Sequence, residues 1–160
     1  MDSKGFDLSL DVAFERTAMT DDPLYRKDLL RLAADARGAG HLPAPDAKAS
    51  MYNPACGDRV SVELALANDQ IAALAHITQA CVLTQASAAL LATLAPGKDQ
   101  AGLAALAAEV RSFLQGAPAP EGYGVFEGIR EHAGRHVCVM LPLQAALKAL
   151  DVSEAGAERT

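Results

Sequence analysis

The residues of this chain best suited to chemistry are three cysteines and an aspartate. Asn53-Pro54-Ala55-Cys56-Gly57-Asp58 places a thiol and a carboxylate two positions apart, with a rigid proline before them and a permissive glycine between. The other two cysteines, Cys81 and Cys138, each fall at the edge of an expected element. A cysteine by itself is usually a small buried hydrophobe. Position argues otherwise for these three. Cys56 sits in a Pro/Gly loop where packing would not select a thiol, and Cys81 and Cys138 each stand shortly before a helix, whose N-terminus favours thiolate. Three soft sulfurs and one hard oxygen suit zinc or iron, the carboxylate being the ligand most readily exchanged. Asp58 reads equally as a strand-start cap or a solvated charge. Arg135, three residues before Cys138, is a surface charge or a stabiliser of thiolate and persulfide. His41, His76 and His132 read as solvent-facing or incidental. His136 would share a strand face with Cys138 if that segment is extended, which makes it an alternative ligand.

The elements that must position these groups follow from periodicity. Phe6, Leu8, Leu10, Val12 and Phe14 alternate, as a strand or a partly ordered extension would. Asp22-Pro23 opens an amphipathic helix over 23–36, carried by Tyr25, Leu29, Leu32 and Ala36. An irregular passage leads to about residue 47. Val60, Val62, Leu64 and Leu66 then mark one strand, Asn68-Asp69-Gln70 a turn, and Ile71, Ala73, Ala75 and Ile77 a second strand; 47–52 adds a short third. A helix from Cys81 ends at Pro96-Gly97, and another spans Asp99 to Leu114 on Leu103, Leu106, Val110 and Phe113. After a loop and a short helix at 125–132, Arg135 to Met140 reads as extended and Pro142 as the start of a last helix. The expected class is α+β: a small antiparallel sheet of about three strands, packed on one face by helices. Residues 1–20 form an extension, 21–152 one domain and 153–160 a flexible tail.

Composition narrows the function. The chain has four phenylalanines, three tyrosines and no tryptophan, so its core must rest on small and aliphatic packing. A net charge of −6 leaves no basic stripe for nucleic acid. No apolar run is long enough to span a membrane, and the first residues lack a basic segment followed by an apolar run, so a signal peptide is not expected. An odd number of cysteines in a chain read as cytoplasmic points to free thiols or ligands, not to structural disulfides.

Asn53-Pro54-Ala55-Cys56-Gly57-Asp58-Arg59-Val60 resembles the N-P-x-C-G-D-x-V motif of the SufU/IscU family, the NifU N-terminal-like proteins of iron–sulfur cluster assembly. Cys81 with Gln85-Ala86-Ser87 resembles that family's C-x-x-S-x-A-S, with Thr84 in place of the first serine. Arg135-His136-Val137-Cys138, with Leu141-Pro142 and Ala145-Ala146-Leu147, resembles R-x-x-C-x-x-L-x-x-x-A-L. The resemblance implies a SufE/NifU-like fold with Cys56, Asp58, Cys81 and Cys138 gathered at one end around zinc, iron or a transient [2Fe-2S] cluster. It also implies a cysteine desulfurase as sulfur donor, and cluster carriers or an assembly scaffold downstream. By the same resemblance Cys56 is the sulfur acceptor, Cys138 the second choice, and Arg135 a supporting group. Val137 stands where the IscU branch has a histidine, no L-P-P-V-K motif occurs, and the interval between Cys81 and Cys138 is long; all three favour the SufU branch. Thr78-Gln79-Ala80-Cys81 departs from the family's G-x-G-C, and the H-Y-x-x-P pattern is missing. A scaffold or relay is expected over an enzyme, with zinc-dependent sulfurtransferase activity as the enzymatic version. The alternatives are a structural zinc protein or adaptor on the same fold, and a metal-free interaction domain.

Overall fold

The computed structural model describes residues 26–159, with side chains through Asp151. The alternating segment Phe6–Phe14 and the Asp22-Pro23 helix start lie outside the described residues. Helix α1 spans Lys27–Asp35 and buries Leu29 and Ala33, one turn apart on one face. It stops where Ala36 turns left-handed at φ 51°, and Gly38 follows at φ +80°. Gly38 is required twice over, because a Cβ there would stand 2.5 Å from that of Ala92.

Three strands, β1 (Ala47–Asn53), β2 (Asp58–Ala67) and β3 (Gln70–Gln79), pair antiparallel in the order β1-β2-β3. Val60, Val62 and Leu64 point into the core as their alternation requires. The β3 alternation differs from the sequence reading. Leu66 pairs with Ile71 and Ala65 with Ala73, so Ala72 is an extra residue at a register shift. Beyond that bulge the inward face changes from odd to even positions. Leu74 and His76 are therefore buried, while Ile77 is 38% exposed. His76, expected on the surface, is a core residue. Its Nε2–H donates to the Arg37 carbonyl at 2.8 Å, and Nδ1 is 2.8 Å from the Thr78 hydroxyl. Burial holds its pKa below the ordinary imidazole value.

Helix α2 (Val82–Leu94) lies over β3, and the last helix, α4 (His136–Arg159), over β1 and β2. Helix α3 (Gln100–Leu114) packs on α4 and is started by Asp99, whose carboxylate accepts from the Gly102 N–H at 2.8 Å. Leu103, Leu106, Val110 and Phe113 are all buried, as their spacing predicts. The helices thus cover one sheet face. On the other, the Arg59 guanidinium sits 5.1 Å from the Tyr52 ring centroid and the Ser50 and Ser61 hydroxyls are 2.7 Å apart.

The segment before α4 departs from expectation. Residues Tyr123–Ile129 and Ala133–Arg135 are 3-10 turns, and α4 begins at His136, not at Pro142. Pro142 lies inside the helix. Arg135 to Met140 is not extended, and the backbone stays helical to Arg159, beyond the Ser153 start of the expected tail. Two residues along a helix are about 200° apart in azimuth, so His136 leaves the side of Cys138. Its Nε2 instead lies 2.9 Å from the Arg130 carbonyl and 3.1 Å from that of Ile129.

Tyr123 is fully buried beside Phe126, and its hydroxyl has no partner among the described residues. A buried hydroxyl without a hydrogen bond costs about 1–3 kcal/mol. Tyr123→Phe is therefore expected to raise the unfolding free energy by about 1 kcal/mol or more, measured as a higher urea midpoint. A lower midpoint would show that the hydroxyl is bonded after all.

Candidate metal and sulfur site

The β1–β2 connection presents the first thiol. The Asn53 carbonyl accepts from the Cys56 and Gly57 amides at 3.3 and 2.8 Å, and Gly57 turns through φ +80° to bring the chain into β2. The Asn53 side chain closes the turn: its Oδ1 accepts from Ala55 N–H at 3.1 Å and its Nδ2 stands 3.2 Å from Cys56 Sγ. Cys56 is exposed.

Asp58, the first residue of β2, is 4% exposed and faces the start of α2. Cys81 is the N-cap of that helix but caps nothing with its own side chain. Asp58 does so from outside, Oδ1 accepting from Cys81 N–H at 3.2 Å. Oδ2 accepts from the Thr84 hydroxyl at 2.8 Å, and Cys81 Sγ lies 3.4 Å from it. Burial alone would raise the pKa of Asp58. The hydrogen bonds from Thr84, Cys81 and Cys56 outweigh it and hold the carboxyl below its usual range.

Cys138, in the first turn of α4, completes the group and is 3% exposed. Donor atoms of Cys56, Asp58 and Cys138 all lie within 4.8 Å of one another. Cys81 joins them through its contact with Asp58 and a hydrogen bond from Cys138. That bond, above all, lowers the Cys81 thiol to about 5. The same bond and burial push Cys138 far up, so the two sulfurs hold one proton between them. Burial disfavours the charge of Arg135, but the sulfurs of Cys138 and Cys81 beside it keep the guanidinium firmly protonated. Its Nε is buried with no partner among the described residues.

The structure thus brings together Cys56, Asp58, Cys81, Cys138 and Arg135, and sets His41, His76 and His136 elsewhere. Cys56, Asp58 and Cys138 within one coordination radius, with Cys81 against Asp58 and a cation beside them, suit a thiophilic divalent ion. Sequence reasoning missed Asn53 and Thr84 as contacts of the site. Each sits three residues from a cysteine, Asn53 before Cys56 and Thr84 after Cys81, which is the spacing of a local side-chain bond.

Residues 24–125 match the model of the NifU-like N terminal domain, well over half of the chain. The chain belongs to the NifU-like N-terminal domain family. The solved N-terminal NifU-like protein from Brucella abortus is 30% identical, with a TM-score of 0.78 over 84% of this chain and 96% of that one. A structure from Fervidobacterium islandicum AW-1, described as a candidate iron–sulfur cluster assembly scaffold for the SUF system, covers 81% of this chain and 98% of its own. Its TM-score is 0.72 at 18% identity, a likeness of fold alone. No curated protein matches the sequence. The α+β class and the one-sided three-stranded sheet agree with both structures. The family match contains Cys56, Asp58 and Cys81 and stops before Cys138. Among the described residues no helix is long and apolar enough to cross a membrane.

Proposed function

We propose that this chain is a cytoplasmic iron–sulfur cluster assembly protein that takes sulfur from a cysteine desulfurase and relays it, or builds a cluster, at Cys56, Asp58, Cys81 and Cys138. Membership of the NifU-like family supports the process. The observation that carries the reading is the convergence of Cys56, Asp58 and Cys138, with Cys81 against Asp58; of the thiols, Cys56 is openly exposed and Cys138 is buried. An acceptor for a partner's persulfide must be reachable, and buried Cys138 is not.

Zinc or iron held by these four residues would keep the thiols ionised at neutral pH. In the transfer, the Cys56 thiolate attacks the outer sulfur of the desulfurase persulfide. The S–S bond of that persulfide breaks, the desulfurase cysteine leaves as thiolate, and Cys56 carries the sulfur. No external oxidant or reductant is needed. Arg135 offsets the negative charge that accumulates beside Cys138 and Cys81. The product passes to cluster carriers or to an assembly scaffold.

Cys56→Ala is expected to abolish sulfur uptake from a cysteine desulfurase, read as labelled sulfur or persulfide on the purified chain. Uptake at the wild-type rate would sink the assignment of the acceptor. Loss of zinc with unfolding, and no selective persulfide in the wild type, would favour a structural zinc protein instead.

A further inference from the structure

The chemistry above gives no role to Thr84, a polar side chain in the first turn of α2 with none of its surface exposed. A threonine in a helix commonly returns its hydroxyl to the carbonyl four residues back. Here that carbonyl, Ala80 O, accepts from the Gln85 side chain at 2.9 Å. Thr84 Oγ1 donates outward instead, to Asp58 Oδ2 at 2.8 Å, with Cys81 Sγ farther off at 3.5 Å. One hydroxyl carries one proton, and the shorter contact takes it.

Asp58 therefore rests in a socket of two donors, the Cys81 amide and the Thr84 hydroxyl, with Cys81 Sγ 3.4 Å from Oδ2. The amide and Thr84 fix one carboxylate oxygen each, and Oδ2 keeps a lone pair after accepting from Thr84.

We propose that Thr84 is a positioning residue for Asp58, fixing the carboxylate against the N-terminus of α2 so that it meets the ion together with the three thiols. This rests on the metal–sulfur reading given above. Thr84 is fully buried and its hydroxyl reaches the site.

The test is Zn²⁺ affinity of the reduced full chain, by competition with a chromophoric chelator. Thr84→Val keeps the shape and deletes the hydroxyl; it should weaken zinc binding about 10–100-fold. Thr84→Ser should restore wild-type binding. In an Asp58→Ala background Thr84→Val should change nothing further, because the two act as one unit. A threonine that only supported the helix would lower affinity equally in both backgrounds. Circular dichroism of each metal-free variant monitors folding; if Thr84→Val does not fold, Thr84→Ala against Thr84→Ser makes the same comparison. Wild-type zinc affinity in Thr84→Val, or an undiminished effect without Asp58, overturns the proposal while leaving the metal site standing. A wild type that binds no zinc overturns both.

Discussion

In the reduced, metal-free protein Cys81 should react with iodoacetamide at a rate that rises through a midpoint near pH 5. An ordinary thiol has its midpoint near ~8.5. The leading cause is the hydrogen bond from Cys138, opposed by burial and helped by Thr84. At pH 6 Cys81 would be about nine-tenths thiolate, against about three in a thousand for an unperturbed cysteine. A thiolate of low pKa is intrinsically a weaker nucleophile, so the gain in rate is smaller than the gain in ionised fraction. The midpoint is the sharper observable. Cys138→Ala removes the donor and should move it upward, as should Arg135→Met, which removes the neighbouring cation. Peptide-resolved mass spectrometry against pH makes the measurement, and an ordinary midpoint in the wild type would refute the shared-proton pair. The sign also applies to folding. A thiol whose pKa is lowered in the folded state adds stability that is complete above the unfolded thiol range. It is lost as pH falls through about 5.

The largest loss of stability should come from Phe113→Ala, far along the chain from the thiols. Phe113 is 1% exposed, ends the buried stripe of α3 and has the Arg130 guanidinium 5.1 Å from its ring centroid. Truncating a buried phenylalanine costs about 3–5 kcal/mol in transfer and cavity terms, and the lost cation–π contact adds about 0.5–1 kcal/mol. A domain stable by about 5–15 kcal/mol loses a large share of its margin. The urea midpoint should fall with the slope unchanged, while zinc affinity of the folded protein stays as in the wild type. A loss below about 1 kcal/mol would mean that this end of the core is loosely packed.

Local signals in the sequence account for most of the frame. The period of Val60, Val62 and Leu64 gives β2, that of Leu103, Leu106, Val110 and Phe113 gives α3, and Pro96-Gly97 stops α2. The candidate site residues stood out for a different reason: cysteine is sparse here, and each one lies in a motif that resembles the family's. What stayed hidden depends on pairing across the fold. Nothing within β3 marks Ala72 as the extra residue; the shift is visible only against β2, and it sends His76 inward. Pro142 reads as a helix start because proline is favoured there. Yet α4 begins six residues earlier, its first turn packed in the core through Val139 and Leu141. Thr84 looked like a substituted serine, and its bond to Asp58 joins elements that only the folded chain brings together.

Proline inside α4 has a mechanical side. Lacking an N–H, Pro142 cannot bond the carbonyl four residues back, which belongs to Cys138. The turn that carries the buried thiol is thus joined to the rest of its helix by one rung fewer. Its next carbonyl, that of Val139, is held from the side by the Ser87 hydroxyl of α2 at 2.6 Å. Cys138 therefore rides on a turn with one rung missing behind it, tethered laterally to the helix that Cys81 N-caps. Any change in the separation of the Cys81 and Cys138 sulfurs bears first on that turn, which has no rung to lose at Pro142.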